Sequence, residues 1–168
     1  ITLAAPTRLG YTFTGWTPTD NIPAASTGEK TFTATWSAPI VYGITYVMNG
    51  GVNAGANPAT YTIESATINL AAPTRAGYNF TGWTPAGTIP AGSTGGRTFT
   101  ATWSAPIVYD ITYVMNGGVN APANPATYTV VSGLITLAAP TREGYDFVRW
   151  APTDNIPAAS TGEKTFTA

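Results

Sequence analysis

The stretch Thr98-Phe-Thr-Ala-Thr-Trp-Ser-Ala-Pro-Ile-Val-Tyr109 decides the fold, because it is an unchanged copy of residues 31–42. Its first six residues alternate threonine with Phe, Ala and Trp, which is the period-two pattern of a β-strand with one wet face. The motif at residues 1–8 returns at residues 135–142 and, with one change, at residues 68–75. This spacing of 67 residues predicts a tandem array of like modules.

The module boundaries follow from the motif Ile-Thr-Tyr-Val-Met-Asn-Gly-Gly at residues 44–51, which we take as the start of a module. One complete repeat then covers residues 44–110. Residues 1–43 are the C-terminal part of a preceding repeat, and residues 111–168 are a repeat truncated in its last strand. We expect the chain to be a segment of a longer array. Such a module is near the lower size limit for independent folding.

The local pattern predicts a mainly β module of about five short strands, each of 4–7 residues, with at most one helical turn around residues 89–93. The Asn-Gly pairs at 49–50 and 116–117 favour type I′ turns. Trp83 lies three residues after Phe80, so a bulge near Gly82 is needed to bring both rings to one face. Arg149 stands at the equivalent place in the third repeat, so glycine is not obligatory there.

Aromatic residues are the predicted source of stability, because the chain has no cysteine and therefore no disulfide. Each packed aromatic ring buries roughly 150–250 Å². The predicted structural core of the complete repeat consists of Tyr46, Tyr61, Tyr78, Phe80, Trp83, Phe99 and Trp103.

Composition argues against several classes of function. A net charge of −1 without any basic cluster argues against nucleic acid as a partner. No apolar run approaches the ~18 residues that span a bilayer, so we expect no membrane insertion within this segment. The chain has neither His nor Cys, which removes a Ser–His pair, a cysteine nucleophile and a His-ligated zinc site. Glu143 and Asp146 could form a carboxylate pair, but we interpret them as solvated surface. We therefore predict no enzyme activity, no catalytic or metal site and no cofactor.

Three arginines recur in the Pro-Thr-Arg motif, namely Arg8, Arg75 and Arg142. One interpretation is a periodic contact with a ligand, spaced by one module length. The other is packing of the arginine stem across an aromatic ring, with the charge in water. We favour the packing interpretation and keep the ligand contact as the alternative.

The ordered motifs together resemble the Listeria–Bacteroides repeat, the B-repeat family of internalin-type bacterial surface proteins. The resemblance covers the whole chain. Its carriers in the middle repeat are the motif at 44–51, Asn-Pro-Ala-Thr-Tyr-Thr-Ile-Glu-Ser-Ala-Thr at 57–67, Leu-Ala-Ala-Pro-Thr-Arg at 70–75, Gly-Tyr-Asn-Phe-Thr-Gly-Trp at 77–83, Ile-Pro-Ala-Gly-Ser-Thr-Gly at 89–95 and Thr-Phe-Thr-Ala-Thr-Trp at 98–103. It implies β-grasp-like modules in tandem on the bacterial cell surface, in stalks or adhesins, and it brings no catalytic residues.

Two hypotheses for function follow. The first is a non-catalytic structural array that acts as the stalk or spacer of an adhesin, or as part of an extracellular fibre. Its partners are neighbouring repeats of the same chain and, in a fibre, other copies. The second is a multivalent module whose weak contacts with host glycans or proteins add up along the array.

Overall fold

The protein consists of β-strands joined by turns, and the computed structural model describes all 168 residues. The strands are β1 (Phe13–Thr17), β2 (Thr33–Trp36), β3 (Tyr42–Val47), β4 (Thr60–Tyr61), β5 (Ile68–Asn69), β6 (Phe80–Thr84), β7 (Thr88–Ile89), β8 (Arg97–Trp103), β9 (Val108–Val114), β10 (Thr127–Thr129), β11 (Ile135–Thr136), β12 (Asn155–Ile156) and β13 (Lys164–Thr167). No helix forms, and none that could cross a membrane is therefore present. The prediction of a mainly β chain is confirmed, and the structure is β throughout. Residues 89–93 contain a turn, in which Ser93 N donates to Pro90 O at 3.3 Å.

The middle repeat contains a mixed sheet of four strands in the order β4-β3-β8-β6. β3 pairs antiparallel with β4 and parallel with β8, while β5 and β7 form a separate two-stranded sheet. This makes six strands where about five were predicted, and three of them are only two residues long. The prediction of 4–7 residues for every strand is therefore wrong. One reason is that Pro90 directly follows β7, and proline has no N–H to continue a ladder.

The third repeat copies this plan with one strand missing. β9 pairs antiparallel with β10 and parallel with β13, and β11 pairs with β12. Residues 147–151, the equivalent of β6, form no strand, and only a bridge between Ala151 and Thr167 remains there. The positions equivalent to Thr102 and Trp103, which would lie opposite this segment, come after Ala168.

The bulge predicted near Gly82 is found at the equivalent Gly15 in the first repeat. The register between β1 and β2 shifts between Phe13 and Gly15, and Gly15 has a φ of 151°. Trp16 is thereby returned to the side of Phe13, with ring centroids 5.5 Å apart. Gly82 has nearly the same φ, 149°, whereas Arg149 is not among the residues of positive φ. The third repeat therefore has a different backbone conformation at this position.

The Asn-Gly turns adopt the predicted type I′ conformation. Asn49 and Gly50 have φ angles of 47° and 86°, and Asn116 and Gly117 have 47° and 87°. Two successive positive φ angles are the signature of this turn type. The peptide bonds before three prolines are cis, a feature that the sequence analysis did not predict: Pro18, Pro85 and Pro152.

Two hydrophobic clusters form the core. The first contains Ile44, Tyr61, Ile89 and Phe99, and the partly buried residues packed on it are Tyr42, Tyr46, Ile68, Leu70 and Trp83. The second contains the equivalent positions of the third repeat, namely Ile111, Tyr128, Leu137, Trp150, Ile156 and Phe166. Of the seven predicted core aromatics, Tyr61 and Phe99 belong to the first cluster, and Tyr46 and Trp83 pack on it. Phe80 and Trp103 pack edge to face on each other, with centroids 5.7 Å apart, and Tyr78 lies beneath an arginine.

The chain is organised into two compact units. One comprises Ile1–Asn49, Asn53–Ala72 and Gly82–Ala101, and the other comprises Gly50–Val52, Pro73–Thr81 and Thr102–Ala168. Each unit therefore contains parts of two successive repeats. The first strands of the second and third repeats, β3 and β9, begin at Tyr42 and Val108. The module boundaries 1–43, 44–110 and 111–168 stay a prediction.

Candidate functional site

Each repeat carries a four-residue turn that starts at arginine and ends at tyrosine, here named the Gly turn. The three Gly turns are Arg8–Tyr11, Arg75–Tyr78 and Arg142–Tyr145. In each, the tyrosine N–H donates to the arginine carbonyl, at 3.1, 3.2 and 3.1 Å. The third residue is glycine, with φ angles of 76°, 74° and 74°. Glycine is favoured there because the third position of a type II turn needs a positive φ.

The three predicted ligand-contact arginines lie over aromatic rings. The guanidinium carbon of Arg8 is 3.8 Å from the centroid of Tyr11, and Arg75 and Arg142 lie 3.7 and 3.9 Å from Tyr78 and Tyr145. These distances are well inside the range of a cation–π interaction. This geometry agrees with the packing interpretation, in which each arginine packs across an aromatic ring. The contact with a ligand stays a prediction.

The glycines of the first two Gly turns are buried against the next repeat. A Cβ atom on Gly10 would lie 2.6 Å from Cγ2 of Ile63, and one on Gly77 would lie 2.5 Å from Cβ of Val130. Ile63 and Val130 occupy equivalent positions in successive repeats. No side chain fits at either glycine without movement of the neighbour, since ordinary carbon–carbon contacts are about 3.5–4.0 Å.

Ile63 and Val130 are presented by a second recurring turn, here named the Thr-Ser turn. Its two copies are Thr62–Ser65 and Thr129–Ser132. In the first copy the serine N–H donates to the threonine carbonyl at 3.1 Å, and the serine hydroxyl accepts from the threonine N–H at 3.0 Å. The second copy has the same two bonds, both at 3.0 Å. The β-branched side chain is therefore held out from a turn of fixed shape.

The linker between repeats is hydrogen-bonded to the Gly turn that precedes it. Ile40 N donates to the carbonyl of Gly10 at 2.8 Å, and Ile107 N donates in the same way to Gly77 at 2.8 Å. Ser37 N also donates to Thr12 O at 2.9 Å. The linker then runs directly into the first strand of the next repeat. These bonds limit the freedom of the linker at both joints.

The two joints differ in one side-chain contact. At the first, the hydroxyl of Tyr11 donates to a carboxylate oxygen of Glu64 at 2.5 Å. This hydrogen bond is the largest cause that raises the pKa of Tyr11 above its ordinary value of 10.0; burial and the charge of Glu64 act in the same direction, while Arg8 opposes them. At the second joint the equivalents are Tyr78 and Val131, so no carboxylate is available to accept this bond.

The third Gly turn is open. Gly144 is exposed, and a Cβ atom there would meet nothing within 4 Å. Tyr145 is 65% exposed, whereas its equivalents Tyr11 and Tyr78 are partly buried. The three turns thus share one conformation, and the first two are covered by a following repeat.

An open cavity of about 180 Å³ lies beside the third Gly turn. Its lining includes Met115, Gly118, Phe147 and Ala168. In the middle repeat the corresponding glycine, Gly51, lies against the indole of Trp103, because a Cβ atom on it would be 2.3 Å from Cζ2. The indole thus occupies in the middle repeat the place that the cavity has in the third.

The titratable side chains form no cluster of the kind that holds a metal ion. No group of three or more carboxylates could hold a metal ion, and the core contains no buried polar or charged side chain. Glu143 and Asp146 are both exposed. The contacts that recur between repeats are those of the joints, namely the packing against the glycine and the linker hydrogen bonds.

Comparison with known proteins agrees with the resemblance seen in the motifs. The family model of the Listeria-Bacteroides repeat domain matches residues 1–37, 42–101 and 109–167. The three matches correspond to three successive repeats and cover most of the chain. Searches of the curated proteins and of the solved structures gave no match.

Proposed function

Because the chain belongs to the Listeria-Bacteroides repeat family, we propose that it is a non-catalytic repeat array of a bacterial cell-surface protein. Its role is that of a stalk or spacer in an adhesin, or of a segment of an extracellular fibre. The observation that carries this proposal is the joint between repeats. It is built twice from the same turn, the same glycine and the same linker hydrogen bonds.

A joint of this kind suits a spacer, because it limits the freedom of each repeat relative to the next. A freely jointed chain of modules would gain reach only slowly with the number of repeats, whereas restrained modules add reach in proportion to their number. The function of the array is then the distance that it spans. An extracellular location belongs to the same proposal, since repeats of this family are typical of bacterial surface proteins.

The description of the module as β-grasp-like also belongs to the proposal. It is supported by the mixed sheet of the middle repeat, in which β3 and β8 pair in parallel at the centre.

The test is a binding measurement on arrays of different length. The 168-residue chain, and the same chain lengthened by one and two repeats, are titrated with mucin, a glycan panel and host-cell surfaces. A spacer gives no saturable binding at any length. An adhesive array gives binding that strengthens steeply with the number of repeats, by as much as about 10²–10⁴ in apparent affinity. That outcome would replace the spacer by the multivalent adhesion module and would direct attention to Arg8, Arg75 and Arg142.

A further inference from the structure

The Gly turn and the Thr-Ser turn form a complementary pair of surfaces that occurs twice in the chain. We propose that the open Gly turn, Arg142–Tyr145, is a docking site for the Thr-Ser turn of a following repeat in the same polypeptide. A β-branched residue in the second position of that turn would lie against Gly144. The inference is independent of the spacer role, because an adhesive array would use the same joint.

The conformation of the open turn supports this assignment. The φ of Gly144 is 74°, the same as that of Gly77, and its turn hydrogen bond is 3.1 Å against 3.2 Å. Arg142 lies over Tyr145 at 3.9 Å, against 3.7 Å for the equivalent pair. The site is therefore formed before it is occupied, and docking would not need to order it.

The occupant follows from the two joints that are closed. Both present a β-branched side chain from a Thr-Ser turn, Ile63 in one and Val130 in the other, to the face of the glycine. Isoleucine and valine both fit, so the shared requirement is a branched Cβ on a turn of fixed shape. The residues that follow Ile63 and Val130 are Glu64 and Val131, which differ in charge. The hydrogen bond from Tyr11 to Glu64 therefore occurs at the first joint only and is not required for docking.

The position of the linker selects a repeat of the same polypeptide over a separate molecule. At both closed joints the linker amide donates to the carbonyl of the docked glycine, at 2.8 Å. The linker that is hydrogen-bonded to one Gly turn therefore leads directly into the repeat that covers that turn. Connection by such a short linker gives the docking turn a high effective concentration.

The experiment uses the 168-residue chain and a version lengthened after Ala168 by a second copy of residues 102–168. In the added copy the equivalent of Tyr145 is replaced by phenylalanine, so that the labelling measured at Tyr145 is not mixed with that of the added, open turn. Hydroxyl-radical footprinting with mass spectrometry measures the labelling of Tyr145, with Tyr78 as the internal standard for a covered turn. We expect labelling of Tyr145 to fall to the level of Tyr78 in the lengthened chain, at every protein concentration. Labelling that stays at the level of the 168-residue chain would overturn the proposal. Protection that depends on concentration would also overturn it, because it would assign the site to a separate molecule.

Two controls separate docking from the completion of the third repeat. A chain lengthened only by a copy of residues 102–107 supplies the last strand and the linker without a Thr-Ser turn, and Tyr145 should stay more labelled than Tyr78. In the fully lengthened chain, aspartate at the added equivalent of Val130 should restore labelling of Tyr145. The added equivalent of Tyr128, whose counterpart is only 4% exposed, reports whether the added repeat has folded. If that tyrosine is protected while Tyr145 stays exposed, the docking site is refuted.

Discussion

Replacement of Gly77 by alanine tests whether the joint between the second and third repeats depends on the absence of a side chain. An added Cβ atom would lie 2.5 Å from Cβ of Val130 and 2.6 Å from its Cγ1. Because ordinary carbon–carbon contacts are about 3.5–4.0 Å, the valine would have to move by about 1 Å. The joint would have to open or the Thr-Ser turn would have to shift.

The matched control is Gly144→Ala. Both glycines have a φ of 74°, so alanine suffers the same backbone strain at each, about 1–2 kcal/mol. Only Gly77 adds a steric conflict, since nothing lies within 4 Å of a Cβ on Gly144. Overpacking of a close contact typically costs about 1–3 kcal/mol. We therefore expect Gly77→Ala to lower the free energy of unfolding by about 1–3 kcal/mol more than Gly144→Ala does.

The assay is urea denaturation followed by tryptophan fluorescence, together with hydrogen exchange of residues 127–132. Gly77→Ala should accelerate exchange in that segment, and Gly144→Ala should leave it unchanged. A double-mutant cycle with Val130→Ala should show a coupling of about 0.5–3 kcal/mol, because the two residues are in contact. Equal losses of stability for the two glycine variants, with no coupling to Val130, would refute the account of the joint.

Four further predictions concern the core, the first joint and the third repeat. Trp83→Ala should lower the stability of the middle repeat by about 3–5 kcal/mol, since the indole packs on the first core cluster; an unchanged urea midpoint would contradict this. Tyr11→Phe should loosen the first joint, whereas Tyr78→Phe, which loses no bond to a carboxylate, should leave the second unchanged; hydrogen exchange at residues 62–65 and 129–132 distinguishes the two results. The folded pKa of Tyr11 is raised above 10.0, so the stabilisation of the first joint by its hydrogen bond to Glu64 is complete below about pH 10 and is lost as the pH rises through the folded pKa. Protection of residues 62–65 from exchange that survives full ionisation of Tyr11 would be the contrary result. Addition of Thr-Trp after Ala168 should fill the cavity beside the third Gly turn and stabilise that repeat by about 1.5–3 kcal/mol, measured as an increase in the free energy of unfolding.

Much of the secondary structure could be predicted from short-range pattern. The alternation of threonine with apolar residues located β8, and the Asn-Gly pairs fixed the sign of two successive φ angles. The spacing of Phe80 and Trp83 indicated a bulge near a glycine, which the equivalent Gly15 has. These features depend on neighbours within a few residues, and such neighbours are visible in the sequence.

The composition of the core was predicted less completely. Attention to aromatic residues identified Tyr61 and Phe99, which are 3% and 2% exposed, but omitted Ile44, Ile89 and Ala101. Ile89 is 1% exposed and lies on a strand of only two residues, which is too short for any period to reveal its buried face. Which strands pair in parallel also depends on contacts across about fifty residues of chain, so no local pattern could show it.

The joint could not be predicted because it depends on two turns meeting across different repeats. The sequence did contain a signal: glycine recurs at positions 10, 77 and 144, and a β-branched residue recurs at positions 63 and 130. No role was predicted for these glycines, because the sequence does not show which surface will cover a glycine in a turn. The recurring arginines were correctly expected to pack across aromatic rings, but the sequence analysis did not identify these rings as Tyr11, Tyr78 and Tyr145, which lie in the same turns.

The measurement that tests the central claim most directly is the maximum dimension of the array in solution as a function of repeat number. Small-angle X-ray scattering is recorded on the 168-residue chain and on the same chain lengthened by one, two and three copies of residues 102–168. Docked repeats in a spacer predict a linear increase of roughly 25–35 Å for each added repeat, from the size of a compact module of this length. A compact particle whose maximum dimension barely changes with the number of repeats would contradict the claim.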